Sequence, residues 1–501
     1  MYLRTSHLRL ALPFALSLVF SAVAQADSNK GMSDYQRWLA STQNEFQNYL
    51  DENDKAFISF LKQRWESVDT EKGAEEDTAP KPDSMPVAPP KPITQAPELT
   101  REPAPEPTPE VVITLPEPAP VITPKPKPPA AKMPTGPAAN LSFYGHALSI
   151  PYNSAMTARL RGDISPDTIA NGWEKLARSE YTKTQEQLEQ ARSELALSDW
   201  ATARLIADFS HKTAPDTRSR TLLSWFLLVK MGFDARLAYN SELYLLMPAD
   251  DDVFGVTYFT LEGQRYYALP ADGKVQIAGS VYTYKKQHES AADPIRFRAP
   301  EKFQASGKVS EKTLKFKENG RDINVTLSYP VAQVDYLNTL PQLALPRYPV
   351  IEMPDETRIA LAAQLKPLLE NKSEEAAVNT LLNFVQNAFK YETDDEQFRE
   401  ENYLFPLETI HYRASDCEDR AALFSQLVHD LLGLPVVLLD YPGHVAAAVS
   451  FSGPLSGEVQ GDALVYNGRQ YTVTDPTYIN ARAGMTMPEY AGKAPDIVTI
   501  F

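Results

Sequence analysis

The chain has 501 residues, 49 Lys and Arg against 65 Asp and Glu, a formal net charge of −16 and one cysteine. The acidic balance argues against nucleic acid or an anionic membrane as a partner. A lone cysteine excludes an internal disulfide framework, so the fold must rest on core burial.

At the N-terminus, Arg4, His7 and Arg9 precede the apolar run LALPFALSLVFSAV, and Ala24-Gln25-Ala26 follows as a small-residue cleavage site. Residues 1–26 read as a signal peptide, and the expected destination is the periplasm or the exterior. Losing Arg4 and Arg9, with no acidic residue before Asp27, takes the charge from −16 to −18. No later stretch reaches the roughly 18 apolar residues of a spanning helix, so no membrane span is expected in the mature chain. No cysteine follows the cleavage site to carry a lipid anchor.

Residues 27–77 form an amphipathic helical segment in which 34–68 read as one helix. Tyr35, Leu39, Phe46, Tyr49, Leu50, Phe57, Leu61 and Trp65 recur at helical spacing. Such a stripe docks on its own chain, self-associates or takes a protein partner. Residues 78–138 hold 20 of the 41 prolines. That density favours extended polyproline II and buries no core, so the segment reads as a disordered spacer. At about 3.1 Å per residue it reaches well over 100 Å if extended.

From 139 onward the composition is globular and long enough for two or three domains. Residues 276–350 are read as a β-rich intermediate region, signalled by TLKFKENGRDINVTLSYP with Asn319-Gly320 as a hairpin turn. Residues 351–501 carry the chemistry. SEEAAVNTLLNFVQNAFKYET (373–393) reads as a mostly buried helix capped by Ser373. The acidic run Asp394, Asp395, Glu396 reads as a solvated helix start, its spacing unlike a calcium loop. No metal or cofactor is called for.

In RASDCEDRAALFSQLV, the spacing Ser415-x-x-Glu418 is that of a capping box, starting a helix at Asp416 or Cys417 that runs to Gly433. A lone thiol is a buried apolar group, an intermolecular link or a reactive group. At a helix N-terminus, free N–H groups and the dipole favour the thiolate. Asp416, Glu418 and Asp419 oppose that, so activation needs a cationic partner. LPVVLLDY, Pro442-Gly443 and HVAAAVSF form two strands with His444 opening the second. DALVY-NG-RQYTVTD is a hairpin ending at Asp475. His444 and Asp475 can therefore meet on adjacent antiparallel strands. The set suits nucleophilic catalysis: Cys417 attacks an acyl carbon, His444 moves the proton and Asp475 orients the ring. Tyr403, His411 and Tyr412 are lesser candidates for substrate or oxyanion contact.

DCEDRA, DYPGHVAAAV and YTVTDPTYINA resemble the bacterial transglutaminase-like superfamily, whose core is related to papain-like cysteine proteases. The resemblance covers about residues 370–490. It implies an α+β fold with the cysteine at a helix N-terminus against an antiparallel sheet, and a triad of Cys417, His444 and Asp475. It does not choose among crosslinking enzymes, proteases, amidases and inactive members.

A second stretch runs parallel to the first. APDTRSRTLLSWFLLVKMGFDARLAY, from 214, follows the pattern of ASDCEDRAALFSQLVHDLLGLPVVLLDY, from 414, and LEGQRYYALPAD follows VYNGRQYTVTDP. Thr217 then stands for Cys417, Glu242 or Leu243 for His444, and Pro270 for Asp475. Residues 139–275 are read as a degenerate transglutaminase-like domain. The expected function is an exported thiol enzyme acting on peptide, isopeptide or amide bonds. Its expected substrate is a periplasmic or cell-surface protein or a peptidoglycan peptide. The alternative is a non-catalytic periplasmic binding or assembly protein.

Overall fold

Two antiparallel sheets with a helix before each organise the molecule, a computed structural model that describes residues 52–73, 81–82, 84–89, 137–269, 275, 277–456 and 464–501. Residues 1–26, read above as a signal peptide, most of the 34–68 stripe, most of the proline-rich segment and Pro270 lie outside these residues. A short unit ends at Lys55, its described residues 52–55 being helical, and a second unit comprises residues 56–501. The architecture is α+β.

In the first half, helices α1 (Asp199–Thr213) and α2 (Thr217–Lys230) precede the sheet. Asp216 starts α2 by accepting from the Ser219 N–H at 3.0 Å. The strands are β1 (Glu66–Asp69), β2 (Arg236–Tyr239), β3 (Leu243–Met247), β4 (Tyr258–Leu261), β5 (Gln264–Ala268) and β6 (Ser280–Thr283), in the spatial order β4-β5-β3-β2-β6-β1. In the second half, α3 (Glu374–Ala388) and α4 (Cys417–Leu432) precede β9 (Val436–Tyr441), β10 (His444–Val449), β11 (Leu464–Tyr466), β12 (Arg469–Thr474) and β13 (Asp496–Thr499). Their order is β11-β12-β10-β9-β13. Taken element for element, the first five strands of the first sheet and the five of the second are arranged alike. Between the halves lies the hairpin of β7 (Val309–Glu318) and β8 (Arg321–Pro330). Its Asn319-Gly320 turn has both φ values positive, 50° and 76°, the geometry of a tight hairpin loop.

The helix expected to run to 68 ends earlier. Residues 56–61 are helical, and Glu66–Asp69 is a strand paired with Ser280–Thr283. The apolar positions serve the core nonetheless. Phe57, Leu61 and Trp65 are buried, with Phe57 4.9 Å edge-on to Trp173 and Trp65 4.8 Å from Tyr284. One contiguous cluster runs from these residues through Trp225 and Tyr336 to Leu423 and Val449. The two halves therefore share this main cluster, and each sheet adds a smaller cluster of its own on its other face.

The central strands β9 and β10 of the second sheet are buried on both faces. Val445, Ala447 and Val449 of β10 face that main cluster, and α4 packs on β10. Ala446 and Ala448 face a second cluster built with Tyr441, Tyr478, Tyr490 and Ala88. This explains why HVAAAV is apolar without alternation. Ala88 belongs to the proline-rich segment, part of which is thus seated on the globular body. Its N–H donates to the Ile479 carbonyl at 2.8 Å, and the Ile479 N–H donates to the Pro86 carbonyl at 2.9 Å. Among the described residues, no helix is long and apolar enough to cross a membrane.

Candidate active site

The start of α4 is set by Asp416 and Asp419. The Asp416 N–H donates to Asp419 Oδ2 at 3.2 Å, so the box lies one residue later than the spacing Ser415-x-x-Glu418 suggests. Ser415 instead accepts from Arg420 Nε at 3.2 Å. Parallel pairing of Lys390–Tyr391 with Ala414–Ser415 ties the end of α3 to the approach to Cys417. The helix ends at Gly433, whose φ of 66° is the left-handed cap that glycine adopts without strain.

His444 is placed by the β9–β10 hairpin, where it pairs with Tyr441 across Pro442-Gly443. The register of β10 with β12 pairs Ala447 with Thr474. Continued by one step, it puts Ala446 opposite Asp475, and His444 is then a diagonal neighbour of Asp475 on the same face. Their side chains meet: Nε2 of His444 lies 2.9 Å from Oδ2 of Asp475. An ionised carboxylate only accepts, so Nε2 carries the proton and Nδ1 of a neutral ring is the acceptor. Nδ1 is buried and has no hydrogen-bond partner among the described residues. The ring stacks 4.8 Å from Tyr490.

Asp475 is itself held. Its Oδ1 accepts from the N–H groups of Thr477 at 2.8 Å and Tyr478 at 3.2 Å. Buried Gln386 on α3 donates to the carbonyls of Asp475 at 3.0 Å and Ala481 at 3.1 Å, and accepts from the Asn480 N–H at 3.1 Å. Sequence reading missed Gln386. The available signal was a polar residue one turn after Leu382 on an apolar face.

Cys417, His444 and Asp475 are all enclosed, at 0%, 1% and 2% exposure. The thiol points to Glu418 Oε2 at 3.0 Å, not to the imidazole. Burial, then Glu418 and Asp416, push the Cys417 thiol up, while Lys81 pulls it down. In this arrangement burial and the acidic neighbours together disfavour the thiolate. Burial and the Glu418 charge also raise Asp416, and burial raises Asp394 to about 8. Asp394 does begin a short helix, but it is buried and accepts from the Asn402 N–H at 2.7 Å; Asp395 and Glu396 are exposed.

Two carboxylate triads that share Asp394, one with Asp416 and Asp419 and one with Glu401 and Glu418, are each close enough to hold a cation. The cation there is Lys81, from the proline-rich segment. Its ammonium lies 2.6 Å from Glu401, 3.1 Å from Asp416 and 3.7 Å from Asp394, and it also touches Glu418. No local pattern in the sequence marks Lys81, because its partners lie more than 300 residues away.

The lesser candidates are placed apart from the thiol's own contacts. The Tyr403 ring lies 5.3 Å from the Lys81 ammonium. His411 Nδ1 lies 3.1 Å from the Tyr329 hydroxyl, and the Tyr412 hydroxyl donates to Asn338 at 2.8 Å. Tyr403 and Tyr412 line a cavity of about 510 Å³ with Trp200, Arg204, Phe254 and Glu408. His429, away from the site, stacks on Phe501 at 3.9 Å.

Residues 358–456 match the family model described as a transglutaminase-like domain. The match contains Cys417 and His444 and stops before Asp475. No curated protein matches the chain, and no solved structure does. The transglutaminase-like part thus spans α3, α4 and the β9–β10 hairpin. In the first half, Thr217 opens α2, while Glu242 and Leu243 stand at the start of β3, where the second half has Cys417 and His444.

Proposed function

We propose that the protein is an exported thiol enzyme that cleaves peptide, isopeptide or amide bonds through Cys417, His444 and Asp475. The observation that supports this reading most is the state of the His444 ring. Asp475 holds Nε2, and Nδ1 is left as a buried acceptor with no partner among the described residues, on the strand that opens after the Pro442-Gly443 turn. When Sγ turns from Glu418 to Nδ1, the thiol proton passes to the ring and the sulfur attacks the acyl carbon. The C–N bond breaks, and the leaving amine takes the proton from Nδ1. Water, giving a proton to Nδ1, then hydrolyses the thioester and restores the thiol. An amine in place of water gives transamidation, and hydrolysis is the preferred reading. The N–H of Cys417, free of an intrahelical acceptor, serves the oxyanion.

Residues 139–275 act as a degenerate copy that positions substrate or gates the site, since it lacks all three reactive side chains. The substrate class is a periplasmic or surface protein or a peptidoglycan peptide. The test compares wild type with Cys417→Ala on a peptide library read by mass spectrometry, with dansylcadaverine present. Cleavage that disappears in the variant, without dansyl incorporation, is expected. Cleavage that survives Cys417→Ala removes the thiol from the chemistry. A biological role that survives Cys417→Ala and is lost on deleting 34–68 favours the recognition protein.

A further inference from the structure

The carboxylates around the start of α4 pose an electrostatic problem that α4 does not solve. Asp394, Asp416, Glu418 and Asp419 are buried. Like charges at such separations in a low-dielectric site drive protons onto one another. Arg420, the cation nearest in sequence, turns away. Its guanidinium donates to Ser415 Oγ and to the carbonyl of Phe389 at 2.9 Å, and lies over the Tyr391 ring. The ammonium of Lys81 makes the ion pairs instead, and its side chain is only 7% exposed.

Lys81 is held there by the chain that follows. The Tyr391 hydroxyl donates to the Pro82 carbonyl at 2.7 Å, Arg420 Nη1 donates to Met85 Sδ at 2.8 Å, and Pro86 and Ala88 bracket Ile479 by two backbone bonds. The segment thus runs from the residues flanking Cys417 to the loop that follows Asp475. Glu418 connects the two groups: one oxygen takes Lys81, the other the thiol.

We propose that Lys81 is a positioning residue of the thiol site, delivered by the proline-rich segment, whose ammonium balances the carboxylates on both sides of Cys417 so that its sulfur can ionise toward His444. This rests on the thiol-enzyme reading above. The stretch that begins at Lys81 is then part of the site, and without its ammonium the buried carboxylates on both sides of Cys417 lose the ion pairs described above. The groups facing Lys81 are Asp394 from the short helix it begins, Glu401 from the stretch that follows, Asp416 at the cap of α4, Glu418 within it, and the Tyr403 ring; Cys417 meets Glu418, and Arg420 lies next to this group with its guanidinium over Tyr391.

Iodoacetamide reports this directly in the full chain, because Cys417 is its one cysteine. Rates are measured by intact mass across pH for wild type, Lys81→Met, Lys81→Arg and His444→Ala, with thermal melts alongside. Lys81→Met is expected to slow alkylation at neutral pH by about tenfold, the effect of losing one nearby opposite charge, and to move the pH midpoint up. Lys81→Arg keeps most of the rate, and added ethylammonium restores part of it to Lys81→Met. If Lys81→Met fails to fold, Lys81→Met/Glu401→Gln is compared with Glu401→Gln and is expected to be slower in the same sense. Alkylation as fast as wild type or faster overturns the proposal, the faster rate being what a segment that merely covers the thiol would give. If His444→Ala slows alkylation and Lys81→Met does not, this inference fails alone. If His444→Ala has no effect, the thiol-enzyme reading fails and this inference with it.

Discussion

Asp475 serves two partners with one carboxylate. Replacing it by alanine releases the imidazole and leaves the buried N–H groups of Thr477 and Tyr478 unpaired. Each such orphan costs about 1–3 kcal/mol, so Asp475→Ala is expected to lower the denaturant midpoint clearly. A midpoint within error of wild type would show that the turn holds itself. Glu408 makes a different residue-scale prediction. Burial raises it to about 8, against the Phe405 N–H that favours its charged form. A carboxyl raised in the folded state contributes stability fully present below its unfolded value and lost as pH rises through the folded one. The melting temperature of Glu408→Gln, relative to wild type, should therefore climb between about pH 4.5 and 8. A difference independent of pH would mean that Glu408 does not change protonation on folding. The three candidate side chains stand out in the sequence because each lies at a punctuated boundary: a cap, a Pro-Gly turn, an Asp-Pro. Lys81 was not, since an ion pair spanning most of the chain leaves no local spacing to read.

At the scale of elements, α3 positions the site although it carries none of the proposed triad. Gln386→Leu keeps the helix and its packing volume but strands two carbonyls and the Asn480 N–H. The expected loss is about 1–3 kcal/mol in chemical denaturation, together with faster protease nicking of the 475–484 loop. Unchanged stability and nicking would show that the loop is fixed by Asp475 alone. Hairpins were the most readable elements. At Asn319-Gly320 and Asn467-Gly468 all four φ values are positive, between 50° and 76°, as two-residue turns require. The start of α4 at Cys417 was legible, but its capping box was read one residue early, since Ser415 and Asp416 both suit a cap and Ser415 is taken by Arg420. The 34–68 stripe was read as one period although its last residues are a strand, because Trp65 and Val68 suit either element.

Over the whole molecule, the continuous core decides what can be separated. Phe57, Leu61 and Trp65 close it from one side, and Trp65→Ala is expected to cost about 3–5 kcal/mol. A fragment of residues 351–501 would expose the face of α3 that now packs on the β7–β8 hairpin. It should aggregate or fail to show a cooperative melt, and a soluble, cooperatively melting fragment would contradict the shared core. The parallel between 214–239 and 414–441 is visible in the sequence. The joining of the two halves is not, since either half alone shows enough apolar residues for a core of its own.

The measurement that bears most directly on the central claim is the pH dependence of Cys417 alkylation in the wild-type chain and in His444→Ala. Free thiols ionise near pH 8.5 and activated ones at about 3.5–7.5. The resting thiol is pushed up by burial and its acidic neighbours. A working pair must therefore show a reactive fraction whose midpoint lies below the free value and rises when His444 is removed. A thiol that is inert or ordinary in wild type, and indifferent to His444→Ala, would contradict the account.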